Sequence, residues 1–186
     1  MRSPIGDFDD VTPAPDCLDL LTEPVAAALR AWRGPVPAGE ILYVDSDPEI
    51  ADTAAFCEAY GQDLLERSAN CVIAVGKRAG ETTYAACLAL STTRVDVNGA
   101  VRRHLAARKA SFAPMDAAVG ETGMEYGGIT PIGLPEGWPI LVDAAVADAP
   151  YLVIGSGRRR GKLLVPGKAL AALPGAVVLE GLGVRV

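Results

Sequence analysis

The sequence predicts an α+β domain. Short apolar runs bounded by glycine and proline alternate with stretches that open on aspartate caps, and two runs face each other across the turn Lys77-Arg78-Ala79-Gly80. At 186 residues the chain is long enough for one sizeable core and short for two.

Met1 to Asp16 is acidic and proline-bearing and reads as a poorly ordered arm. Cys17 to Trp32 carries apolar residues at helical spacing, with Pro24 marking either a break or a first-turn position. Gly34-Pro35-Val36-Pro37 ends it, and Ile41 to Val44 reads as a short strand. Asp47-Pro48, in N-cap and N1 order, predicts a helix to about Tyr60, stopped by Gly61. Cys71 to Val75 and Thr82 to Leu90 are the two arms of the hairpin. Asp96-Val97-Asn98 supplies caps for a helix continuing to about Arg108. Met115 to Val119 is a helical turn, Pro139 to Asp143, Tyr151 to Ile154 and Lys162 to Val165 are strands, and Gly167 to Leu173 is a helix.

Composition narrows the function. No apolar stretch is long enough to cross a bilayer, and no basic-then-apolar leader opens the chain, so a cytoplasmic protein without a membrane partner is expected. Cys17, Cys57, Cys71 and Cys87 are widely spaced, and His104 is the one histidine, so neither a metal nor a cofactor is expected. Net charge is −6, but it is divided: residues 1–70 sum to −10 and residues 71–186 to +4. The basic residues gather at Arg102-Arg103 with Arg108-Lys109, and at Arg158-Arg159-Arg160 with Lys162. Two such clusters would meet a phosphate backbone if the fold brought them together, or else form ordinary solvated surface.

The run from Tyr126 to Pro135 holds Gly127, Gly128 and Gly133 with Pro131 and Pro135 in an otherwise apolar stretch. Glycine admits close backbone approach and proline stiffens the chain, so the segment reads as a shaped loop with aimed N–H groups, or as a tight turn between strands. Gly127-x-x-x-Pro131 with Gly133 resembles the Gly-x-x-x-Pro loop of the YbaK/EbsC family, which includes the editing domain of bacterial prolyl-tRNA synthetases. Leu141-Val142-Asp143 resembles that family's strand and aspartate, Val153 to Arg158 its Gly-Arg turn, and Leu163 to Leu173 its closing strand and helix. Order and spacing agree from about Ile50 to the C-terminus. The resemblance implies a twisted, partly closed mixed β-sheet flanked by helices. It divides the chain into an acidic, helical extension over residues 1–47 and an editing domain over residues 48–186.

What the resemblance implies for chemistry is hydrolysis of the ester joining a wrong amino acid to the 3′ end of a tRNA. The loop of Gly127 and Gly128 would polarise the carbonyl through backbone N–H groups, Pro131 would stiffen it, Thr130 would hydrogen-bond at the rim or else cap the local turn, and Asn70 would orient a hydroxyl or a water. Ile129, Gly133, Asp143, Gly155, Ser156 and Gly157 would surround the substrate. Arg102, Arg103, Arg158, Arg159 and Arg160 would contact tRNA. The partners implied are the acceptor end of an aminoacyl-tRNA and an aminoacyl-tRNA synthetase.

One departure stands out. The family places a lysine at the start of the strand after the first helix, and here that position falls on Ala69 or Asn70. Lys77 on the hairpin turn offers a charge from another direction, or is simply exposed. Three readings follow: a trans-acting deacylase, a non-catalytic binder of aminoacyl-tRNA or an aminoacyl nucleotide, and a fold reused as an interaction module. A serine hydrolase built on Gly155-Ser156-Gly157 lacks a base other than His104, and Gly76 to Thr82 lacks the spacing of a phosphate-binding loop.

Overall fold

The computed structural model describes residues 2–185. Its helices are α1 (Glu23–Arg30), α2 (Thr53–Tyr60), α3 (Arg102–His104), α4 (Met115–Thr122), α5 (Ala144–Ala147) and α6 (Gly167–Ala171). Its strands are β1 (Val11–Pro13), β2 (Leu42–Val44), β3 (Ala69–Arg78), β4 (Glu81–Leu90), β5 (Thr93–Val95) and β6 (Lys109–Phe112), then β7 (Ile140–Asp143), β8 (Leu152–Gly155), β9 (Lys162–Val165), β10 (Ala176–Leu179) and β11 (Gly183–Arg185).

These build three sheets, the largest of them mixed, together with helices, the α+β class that the sequence predicts. One sheet has the order β1-β2-β9-β8 and is antiparallel throughout. The larger has the order β10-β7-β4-β3-β6, with β7 parallel to both β10 and β4. A ribbon of β11 and β5 completes the set. The long β3–β4 hairpin runs in register from Ala69↔Leu90 to Arg78↔Glu81 and turns through Ala79 and Gly80, both at positive φ. That two-residue left-handed turn matches the twist of the strands it joins. A parallel bridge between Ser68 and Val153, with the Val153 N–H donating to the Arg67 carbonyl at 2.8 Å, ties the smaller sheet to the larger. The main core lies beneath this seam, where Val25 and Leu29 of α1 meet Ile73, Leu88, Val142, Ile154 and Leu163.

Four local expectations need correction. The N-terminal arm is ordered over its described part: Ile5 and Val11 are buried with Leu42, Phe56 and Leu64, and β1 pairs with β2. Its apolar residues are few but find partners, so its acidity did not prevent packing. The helix expected from Asp47 is divided. Asp47 caps a single turn at Pro48–Ile50 by accepting the Glu49 N–H, and Asp52 caps α2 afresh by accepting the Ala54 N–H. The helix expected to reach Arg108 ends after His104, because Ala106 turns into the left-handed region at φ 48°. The residues that follow, Lys109–Phe112, form β6, an edge strand paired with β3. Finally, Cys17 to Trp32 is α-helical only over Glu23–Arg30, with Pro24 in the first turn, where a missing N–H costs nothing.

Candidate functional site

The seam between the sheets opens into a cavity of about 560 Å³. Thr53 and Phe56 of α2 form one side, and the first residues of β3 with Ser68 before them form another. Phe112 and Met115, together with Gly127, Ile129 and Gly155, also line it. Arg159 and Lys162 bring positive charge to it. A cavity of this size suits a small ligand rather than a polymer, with polar groups few and placed.

The Gly127 loop is held by backbone rather than by side chains. Gly127 takes φ +83°, a conformation that other residues adopt only with strain. The Gly128 N–H closes a turn on the Glu125 carbonyl at 3.0 Å, and the Gly128 carbonyl accepts the Gly157 N–H at 2.7 Å. In return the Gly157 carbonyl accepts the Glu125 N–H at 2.9 Å. The Gly128 N–H is therefore committed within the loop and not offered to a ligand. Gly127 and Ile129 both border the cavity, and their N–H groups have no hydrogen-bond partner among the described residues. Arg159 roofs the loop: its backbone N–H donates to Glu125 Oε2 at 2.8 Å and its guanidinium to the Pro48 carbonyl at 3.1 Å.

Lys162 is the residue that sequence reasoning missed. It opens β9, is 7 % exposed, and its Nζ donates to the Ala51 carbonyl at 2.9 Å. The ammonium lies 5.8 Å from the centre of the Phe56 ring. Burial pushes its pKa below the usual lysine value, the Arg159 charge pushes the same way, and Asp52 opposes them. The signal was present in the sequence. Lys162 opens a run whose remaining residues, Leu163, Leu164 and Val165, are apolar on both faces of the strand and fully buried, as a doubly covered strand is. Counting it with the neighbouring arginines concealed its membership of that run.

The other expected residues divide. Asn70 borders the cavity beside Thr53, whose hydroxyl lies 3.3 Å from Asn70 Oδ1. Thr130 and Pro131 are buried and do not border the cavity, and the Thr130 hydroxyl has no hydrogen-bond partner among the described residues. Gly133 and Gly157 pack instead against the start of α1: a Cβ on either would come within 2.8 Å of Val25. Asp143 caps α5 through the Ala145 N–H at 3.0 Å and accepts the Gly183 N–H at 2.7 Å, which fixes β11. The Ser156 hydroxyl is fully buried and turned toward the carbonyls of Arg160 and Gly161, at 3.0 and 3.1 Å.

The arginines divide too. Arg158 donates to the Leu21 carbonyl at 3.1 Å, and Arg160 forms a two-pronged pair with Asp45 at 2.7 and 2.6 Å. Arg102 and Arg103 line a separate cleft with Arg78 and Arg108, and Arg102 Nε donates to the Asn98 carbonyl at 2.8 Å. Lys77 is exposed and borders neither cleft. Cys71 does border the main cavity, but burial raises its thiol pKa, with Cys87 adding to the rise, so it stays protonated at neutral pH. A cysteine nucleophile is not what this cavity offers.

A cavity bordered by glycines and by two cations, Arg159 and Lys162, at the seam between two sheets characterises this α+β domain. The family model for the aminoacyl-tRNA editing domain matches residues 47–173, and the chain belongs to that family. Among solved structures, one described as a candidate trans-editing enzyme for prolyl tRNA synthetase superposes with a TM-score of 0.69 at 22% identity, covering 84% of this chain and 93% of that one. A scaffold protein presenting grafted linear epitopes matches with the same TM-score and identity over 86% and 95%. A hypothetical protein matches at TM-score 0.67 and 20% identity, over 87% of this chain and all of its own. At these identities the likeness is one of fold. No curated protein matches the chain. Among the described residues no helix is long and apolar enough to cross a membrane.

Proposed function

We propose that this protein is a trans-acting deacylase that hydrolyses the ester of a mischarged aminoacyl-tRNA. The observation that carries the reading is that Gly127 and Ile129 border the cavity and have N–H groups without a partner among the described residues. Water attacks the ester carbonyl carbon, and negative charge develops on the carbonyl oxygen, which preorganised amide donors stabilise. The bond to the ribose oxygen then breaks, that oxygen takes the proton lost by the water, and a free amino acid and an uncharged tRNA leave. An ester needs less activation than an amide, so no side-chain nucleophile is required.

In this reading Asn70 orients the attacking water or a ribose hydroxyl through its amide. Arg159 and the cleft of Arg78, Arg102, Arg103 and Arg108 contact the tRNA backbone, and a cytoplasmic location follows from the substrate. Residues 1–47 act as an extension to the editing domain of residues 48–186. The neutral Asn70 favours a second reading, a protein that binds aminoacyl-tRNA without hydrolysing it.

The test is a deacylation assay on tRNAs charged with Ala, Ser, Thr, Cys and Pro, with Gly127→Val alongside. Hydrolysis of one species, abolished in the variant, supports the deacylase and names its substrate. Binding without turnover across the panel supports the second reading.

A further inference from the structure

We infer that Lys162, on β9, is the cation that holds an anionic oxygen of the bound substrate in the cavity. The inference rests on the proposed reading of that cavity as the substrate site. A buried ammonium is expensive unless it is paired. Lys162 has no carboxylate within 4.0 Å among the described residues, where the ion pairs are Arg30–Glu23, Arg67–Asp63 and Arg160–Asp45. An ammonium carries three donors, and the Ala51 carbonyl takes one. Two N–H bonds and a full charge are left beside a cavity whose other charged side chains are Asp52 and Arg159. Two cations against one carboxylate leave an excess of one positive charge for a ligand to balance.

The placement connects Lys162 to the loop. Lys162 pairs with Gly155 across β9 and β8, and Gly155 packs against the Gly128 and Ile129 carbonyls. The cation therefore stands one strand away from the wall that carries the free N–H groups. Asn70 on β3, uncharged, borders the same space. A structural role alone, holding the Ala51 carbonyl, would not call for a charge: a neutral donor at the same place would serve as well.

Two oxygens fit this chemistry, a terminal phosphodiester oxygen in the ground state and the oxyanion of the tetrahedral intermediate. The test uses the full chain as wild type, Lys162→Met and Lys162→Arg, with two probes: AMP for the phosphate and a 3′-phosphonate ester of adenosine as a stable mimic of the oxyanion. Calorimetry is expected to show at least one probe weakened about tenfold or more in Lys162→Met and largely retained in Lys162→Arg. Weakening confined to AMP, with KM raised and kcat held, assigns the phosphodiester. Weakening confined to the phosphonate, with kcat lowered and KM held, assigns the oxyanion. Unchanged affinity for both probes in a folded Lys162→Met overturns the inference, even if deacylation is confirmed. If wild type hydrolyses no charged tRNA yet binds a probe through Lys162, the deacylase reading falls and the anion site stands. Should Lys162→Met fail to fold, the wild-type protein with 13C-labelled lysine decides. Its four lysines are Lys77, Lys109, Lys162 and Lys168. A shift of the Lys162 signal with either probe supports the inference, and no shift with both overturns it.

Discussion

Gly155 and Gly128 pack backbone against backbone. A Cβ placed on Gly155 would stand 2.6 Å from the Ile129 carbonyl oxygen and closer still to that of Gly128. The end of β8 and the Gly127 loop are thereby pressed into one unit, and the position of the loop's free N–H groups is set by a contact that leaves no room for a side chain.

Gly155→Ala should move that contact apart. Overpacking of this kind costs about 1–3 kcal/mol, and the displaced loop no longer aims its amides at the cavity. The expected outcome is a lower melting temperature with deacylation reduced more than the fall in stability explains. Unchanged melting and turnover would show that the loop yields freely.

Lys162→Met should stabilise the protein at neutral pH. Replacing a buried, unpaired charge by an apolar side chain of similar length is worth on the order of 1 kcal/mol, and the released Ala51 carbonyl offsets part of it. The pH dependence has a definite sign. The folded-state pKa of Lys162 lies below its unfolded value of 10.5 because burial disfavours the charged form. Below the folded pKa both states hold the proton and the burial cost is fully present. As pH rises from there toward 10.5, the folded state releases its proton first, so wild-type stability gains on the variant. Urea unfolding at a series of pH values should show the gap narrowing on the alkaline side.

Thr130→Val should raise stability by about 1 kcal/mol. The Thr130 hydroxyl is fully buried with no partner among the described residues, and valine keeps the shape while removing the unmet group. Thermal unfolding measures this directly. A fall in melting temperature would mean that the hydroxyl is satisfied by an internal water.

Arg102→Glu with Arg103→Glu should weaken tRNA binding without altering the melting temperature by much, since both side chains are exposed. Removing one phosphate-binding charge makes log affinity less steep against log salt by about 0.7–0.9. Filter binding across a salt series reads that slope. An unchanged slope would remove this cleft from the path of the nucleic acid.

The hairpin, the aspartate caps and the closing strand–helix segment were legible because each depends on local chemistry: the Ala79-Gly80 turn, Asp96 capping the Gly99 and Ala100 N–H groups, the apolar run of Lys162–Val165. The stop at Ala106 was not legible, because an alanine at positive φ carries no signal of its own and is held there by its surroundings. β6 was hidden with it. At the site, Gly127, Ile129, Asn70 and Gly155 were found through a motif and do share one cavity. Thr130 and Asp143 belong to the same motifs but do not border it, a matter of which face each side chain takes. Lys162 was overlooked for the opposite reason: a charge beside charges reads as surface, although it opens a strand that is buried on both faces.

The family match begins at residue 47, yet β1 and β2 lie before it, and β2 covers one edge of β9, pairing Val44 with Lys162. A graft of the matched span alone into another protein would arrive with β9 as a bare edge, open to water and to any stray strand. The cassette that can be transplanted with its chemistry intact is therefore larger than the span that the family model matches.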